Sequence, residues 1–123
     1  MRIYVTKSFE RFRRKQRIGG AVLIETIERA DLGLIDADLG EGLIKQRIAR
    51  PGEGKRGGYR SVIAYRSNDR AVYLLGYAKN SLANIAADDL AHWRLIAADL
   101  LNATDDALEA AVSDNEITEV TND

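Results

Sequence analysis

Two stretches of this chain, Tyr59 to Arg66 and Arg70 to Ala78, are apolar at alternate and intervening positions through their middles, and Ser67-Asn68-Asp69 between them is a good hairpin turn. A strand that is apolar on both faces has to be covered on both. The rest of the chain must therefore supply layers for two sides of a sheet. Its length of 123 residues, 46% of them hydrophobic, suits one compact domain spanning 1–123. A chain of this size buries roughly two-thirds of its extended surface on folding.

The covering layers can be read on either side of the hairpin. Arg2 to Val5 alternate as a short strand, and Thr6 is a plausible N-cap for a helix to about Gln16 with Phe9 and Phe12 on one face. After Gly19-Gly20 a second helical pattern carries Leu23, Ile24, Ile27 and Ala30, and Gly33 is a fitting stop. Residues 31–41 lack periodicity and read as a loop or helical turn. Residues 42–49 read as a strand with Ile44 and Ile48 on one face, Lys45 and Arg47 on the other. Residues 50–58, rich in glycine and holding Pro51, read as a loop. Leu90, Trp93, Ile96, Ala97, Leu100 and Leu101 form the stripe of a helix over 88–101, Thr104 caps a shorter one, and 116–120 read as an edge strand or a disordered end. The order implies an α+β fold: a small, twisted, antiparallel-rich sheet flanked by N-terminal and C-terminal helices.

Several function classes drop out. There is no cysteine and a single histidine, His92, so thiolate chemistry, sulfur-bound zinc and clustered-histidine metal sites are not expected. No apolar run approaches the roughly 20 residues of a membrane span, and the first residues do not read as a secretory signal. A cytoplasmic protein with no metal, no cofactor and no membrane partner is the expectation. Charge is segregated: residues 1–80 hold 17 basic and 9 acidic side chains, whereas 81–123 hold one basic side chain, Arg94, and 10 acidic ones. The first part would attract a polyanion such as RNA, and the acidic segment from about 81 would repel one.

The stretch Gly54-Lys55-Arg56-Gly57-Gly58-Tyr59-Arg60, followed by Tyr73-Leu74-Leu75-Gly76-Tyr77-Ala78-Lys79-Asn80, resembles the RelE/ParE superfamily of bacterial toxins. The similarity is greatest to its HigB-like branch, which carries a G-K-x-G-G-x-R segment and then a Y-x-K-N segment. It is sharpest over 42–85. The resemblance implies a RelE-like fold and a metal-independent, ribosome-associated mRNA endoribonuclease, an mRNA interferase that inhibits translation. It also implies a cognate antitoxin, usually of helix-turn-helix type, as partner beside the ribosome and mRNA.

RNA cleavage by attack of the ribose 2′-OH requires a group to take that proton, groups to stabilise the phosphorane charge, and a proton donor for the leaving 5′-oxygen. His92 falls on a helix beside Trp93, away from the basic strands, and reads as a structural residue. The resemblance then implies catalysis by Lys55, Arg60, Tyr77 and Lys79. A guanidinium fork such as that of Arg60 suits a phosphate, a lysine among cations can have its pKa lowered, and a tyrosine can stack on a base or donate. Lys45, Arg47 and Arg56 would extend a track for the RNA backbone. Arg11, Arg13, Arg14, Lys15 and Arg17 form a second basic cluster.

Register decides whether the site assembles. Pairing Arg66 with Arg70 sets Arg60 opposite Gly76, on the face away from Tyr77. Pairing Arg66 with Ala71 sets Arg60 opposite Tyr77, and this second register is the one expected. Two other readings remain: a ParE-like toxin that poisons DNA gyrase without nuclease chemistry, and a non-catalytic member that only binds a partner.

Overall fold

The structure, a computed structural model, describes residues 1–50, 54–78 and 87–122. Its elements run β1 (Arg2–Thr6), α1 (Lys7–Lys15), α2 (Gly20–Asp31), β2 (Ala37–Gly40), β3 (Leu43–Arg50), β4 (Gly54–Arg66), β5 (Arg70–Ala78), α3 (Ala87–Asn102), α4 (Asp105–Ser113) and β6 (Ile117–Glu119). The six strands form one sheet in the order β2-β3-β4-β5-β1-β6. All neighbours are antiparallel except β1 and β5, so the fold is α+β with a mostly antiparallel sheet.

Both faces are covered, as the doubly apolar strands of the hairpin require. One core cluster joins Phe9, Leu23 and Ile27 of α1 and α2 to Ile44, Ile48, Tyr59, Ile63 and Tyr73. The other joins Leu43, Val62, Ala64, Val72, Leu74 and Tyr77 to Ala97, Leu101 and Leu108 of α3 and α4. Tyrosines on the first side keep their hydroxyls bonded: Tyr73 donates to the Leu23 carbonyl at 2.7 Å and Tyr65 to Asp31 at 2.6 Å. Burial pushes the Tyr73 phenol well above its ordinary pKa, so it remains a neutral donor.

Local chemistry explains the element boundaries. Thr6 caps α1, its hydroxyl accepting from the Phe9 N–H at 3.2 Å. Thr104 caps α4 in the same way through Ala107. Asn68, with φ 57°, turns the β4–β5 hairpin. Gln46, fully buried in β3, donates to the carbonyls of Thr26 and Leu34 and accepts from the Asp36 N–H, which ties the α2–β2 link to the sheet.

Two expectations are corrected. Residues 31–41 contain the strand β2, which pairs with β3 from Ala37↔Lys45 to Gly40↔Leu43. Residues 54–58 are not loop but the start of β4, with Gly54 opposite Arg50. The glycines mislead because one of them serves close strand approach. A Cβ at Gly58 would stand 2.4 Å from the Ile48 carbonyl oxygen. The ambiguous end 116–120 is an edge strand, β6, paired with β1. Among the described residues no helix is long and apolar enough to cross a membrane.

Candidate RNA-binding site

The sheet sets Arg47, Arg60 and Tyr77 in one row across β3, β4 and β5, since Arg47 pairs with Arg60 and Arg60 with Tyr77. All three point to the face covered by α3. Lys45 pairs with Val62 one step along the same face and is half-buried, while Arg47 is exposed. Tyr77 is buried in the cluster beneath α3. Arg60 is half-buried, and its Nη1 is enclosed with no hydrogen-bond partner among the described residues. A guanidinium nitrogen withdrawn from water without an acceptor costs free energy.

This row is reached by a route the simple register argument missed. At the turn Arg66 pairs with Arg70, not with Ala71 as expected. A regular ladder from there would set Arg60 opposite Gly76. The ladder is not regular: Ile63 pairs with Tyr73 but Val62 with Leu75, so Leu74 is an extra residue and a β-bulge. The bulge advances β5 by one and brings Tyr77 opposite Arg60. Leu74 and Leu75 consequently face the same side, both packing in the cluster beneath α3. The one sequence signal for this was Gly76 inside an apolar strand, a common mark of a bulge or close approach. Here it is close approach: a Cβ at Gly76 would meet the Phe12 ring at 2.4 Å.

Of the remaining expected residues, Lys55 and Arg56 lie in the first residues of β4, and their side chains fall outside the described part of the structure. Lys79 lies outside the described residues. The basic cluster of α1 does not join the row. Phe9 and Phe12 seat that helix on the opposite face of the sheet, where Gly76 meets them, and Arg13 is bound to Glu10 and to the Ile18 carbonyl. His92 is exposed on α3 with its ring 5.9 Å from that of Trp93. Arg94, the one basic side chain after residue 80, donates to the Leu39 carbonyl at 2.7 Å. Among the described residues no group of three or more His, Asp or Glu side chains stands close enough together to hold a metal ion.

The family model for the RelE toxin of the RelE/RelB toxin–antitoxin system matches residues 1–120. The chain therefore belongs to the RelE toxin family: it is a toxin of a toxin–antitoxin system, and its partner is an antitoxin. No curated protein matches the sequence.

Proposed function

We propose that this toxin is an mRNA interferase of the HigB-like branch, a metal-independent endoribonuclease that cuts mRNA on the ribosome in the cytoplasm and so inhibits translation. The observation that carries the reading is Arg60, half-buried, aligned with Arg47 and Tyr77, and with an enclosed guanidinium nitrogen that no described residue satisfies. In the proposed reaction the ribose 2′-oxygen attacks phosphorus as its proton passes to a base. Negative charge builds on the phosphorane oxygens, and the 5′-oxygen departs as it gains a proton.

Arg60 is the charge-stabilising group, since a fixed guanidinium in a half-buried setting is worth more to a developing phosphorane than one in water. Tyr77, opposite it, has its ring buried beneath α3, which excludes stacking on a base and leaves its hydroxyl as the proposed donor to the phosphate. Lys55 and Lys79 are the proposed base and acid, and Lys45, Arg47 and Arg56 hold the flanking backbone. The antitoxin is proposed to be of the helix-turn-helix type. Charge segregation supports dependence on the ribosome: with 10 acidic side chains and one basic one after residue 80, the protein has weak general attraction for free RNA.

The test is induction of the wild-type protein and of Arg60→Ala in bacteria, with mapping of mRNA 5′ ends. New ends with the wild type alone support the proposal. Growth arrest by the wild type without new ends replaces it with a binding toxin, and absence of arrest with an inert partner-binding member.

A further inference from the structure

The row of Arg47, Arg60 and Tyr77 exists because β5 carries one residue more than a regular ladder needs, so whatever holds that residue in place holds the row. Continued without interruption, the pairing from Arg66↔Arg70 through Ile63↔Tyr73 would set Val62 opposite Leu74, Arg60 opposite Gly76 and Tyr59 opposite Tyr77. Tyr77 would then face α1 and α2, and Leu75 would occupy the place where Gly76 now meets Phe12. That place has no room for a Cβ, let alone a leucine. Helix α1 thus excludes the regular register by steric means.

The bulged residue is also held by a side chain from a neighbouring strand. Strand β1 pairs with β5 in parallel only as far as Val5↔Tyr73. The next residue, Thr6, still pairs with Ile117 of β6 but no longer with β5, and α1 begins one residue later. In place of a ladder pairing its hydroxyl reaches β5, donating to the Leu74 oxygen at 3.2 Å while accepting from the Phe9 N–H at 3.2 Å. A single hydroxyl therefore starts the helix whose phenylalanines exclude the regular register and closes the bulge that replaces it.

We propose that Thr6 is a positioning residue of the RNA site, acting through Leu74 to keep Tyr77 opposite Arg60. Its link to activity rests on the nuclease reading above, whereas its link to register does not. Thr6→Ser retains both hydrogen bonds. Thr6→Asp retains the acceptor for the Phe9 N–H, and aspartate is as good an N-cap as threonine, but at neutral pH it has no proton for the Leu74 carbonyl.

The measurements are amide hydrogen exchange at 74–77 relative to 71–73, the Arg60–Tyr77 cross-strand nuclear Overhauser effect, the urea midpoint, and single-turnover cleavage on programmed ribosomes at saturating toxin. Saturation removes any effect of the added charge on encounter. Thr6→Ser is expected to match the wild type throughout. Thr6→Asp is expected to stay folded with only a small fall in urea midpoint, while exchange at 74–77 relative to 71–73 rises about tenfold and cleavage falls about tenfold, the scale of one hydrogen bond. Exchange and cross-strand contact unchanged in Thr6→Asp would overturn the proposal, as would loosened exchange with undiminished cleavage. If Thr6→Asp does not fold, Thr6→Val is read by the same exchange ratio. If the wild type cleaves nothing while Thr6→Asp loosens as described, the nuclease reading is lost and the register role of Thr6 stands.

Discussion

Arg70 and Arg60 lie on the same face of the same hairpin, one at its turn and one toward its open end, and they are opposites in how their charge is met. Arg70, 7% exposed, donates from Nη1 to the carbonyls of Leu100 and Ala103 at 2.8 and 2.6 Å and from Nη2 to Asp105 at 3.0 Å. It satisfies the carbonyl end of α3 and ties the α3–α4 corner to the sheet. Arg60 has an enclosed nitrogen with no described acceptor. Two arginines of like secondary structure thus differ in how their donors are met. One is consumed by the fold, and the other has a donor that no described residue meets.

This contrast can be broken at either end. Arg60→Ala is expected to lower cleavage on programmed ribosomes by about a hundredfold or more, as losing a transition-state donor does, with the urea midpoint held. Arg70→Met is expected to do the reverse. It strands the α3 carbonyls and should cost about 2–3 kcal/mol in urea denaturation, while cleavage by the folded fraction at saturation changes little. Arg60→Met sharpens the comparison: it removes an unpaired cation from a half-buried place and is expected to raise stability by about 1 kcal/mol as it abolishes cleavage.

The smallest effect belongs to a third arginine. Arg2 donates to Glu119 through Nε and Nη2, both at 3.0 Å, and holds that carboxyl below its usual range. A lowered carboxylate pKa stabilises the fold above the unfolded value, and that contribution is lost as pH falls through the folded one. Both groups are well exposed, so solvent screens the pair and the loss is small. Thermal unfolding followed from neutral to acid pH should show it as a slight decline, and Glu119→Gln should flatten it.

What the sequence disclosed followed distance along the chain. Caps such as Thr6 and Thr104, helical stripes such as Leu90 to Leu101, and the Ser67-Asn68-Asp69 turn are local, and each lies where its pattern indicates. The bulge at Leu74 was not legible, because it depends on a hydroxyl 68 residues away and on where Phe12 lands. The start of β4 was hidden because Gly58 is a glycine for closeness rather than for turning. On β3, the shared face of Lys45 and Arg47 was readable from strand alternation. The distinction between Arg60 and Arg70 was not, since Arg70 finds its acceptors 30 to 35 positions later. A charge's vacancy is a property of its surroundings, and a linear pattern does not record those.

Strand β1 is laid down first yet lies inside the sheet, with β5 on one side and β6, residues 117–119, on the other. A chain under synthesis cannot complete this sheet until residues 117–119 have emerged from the ribosome. Until then β1 has an open edge, and Arg2 waits for its carboxylates at 109 and 119. Closure of the sheet around its first strand is thereby held back until the chain has been made through Glu119.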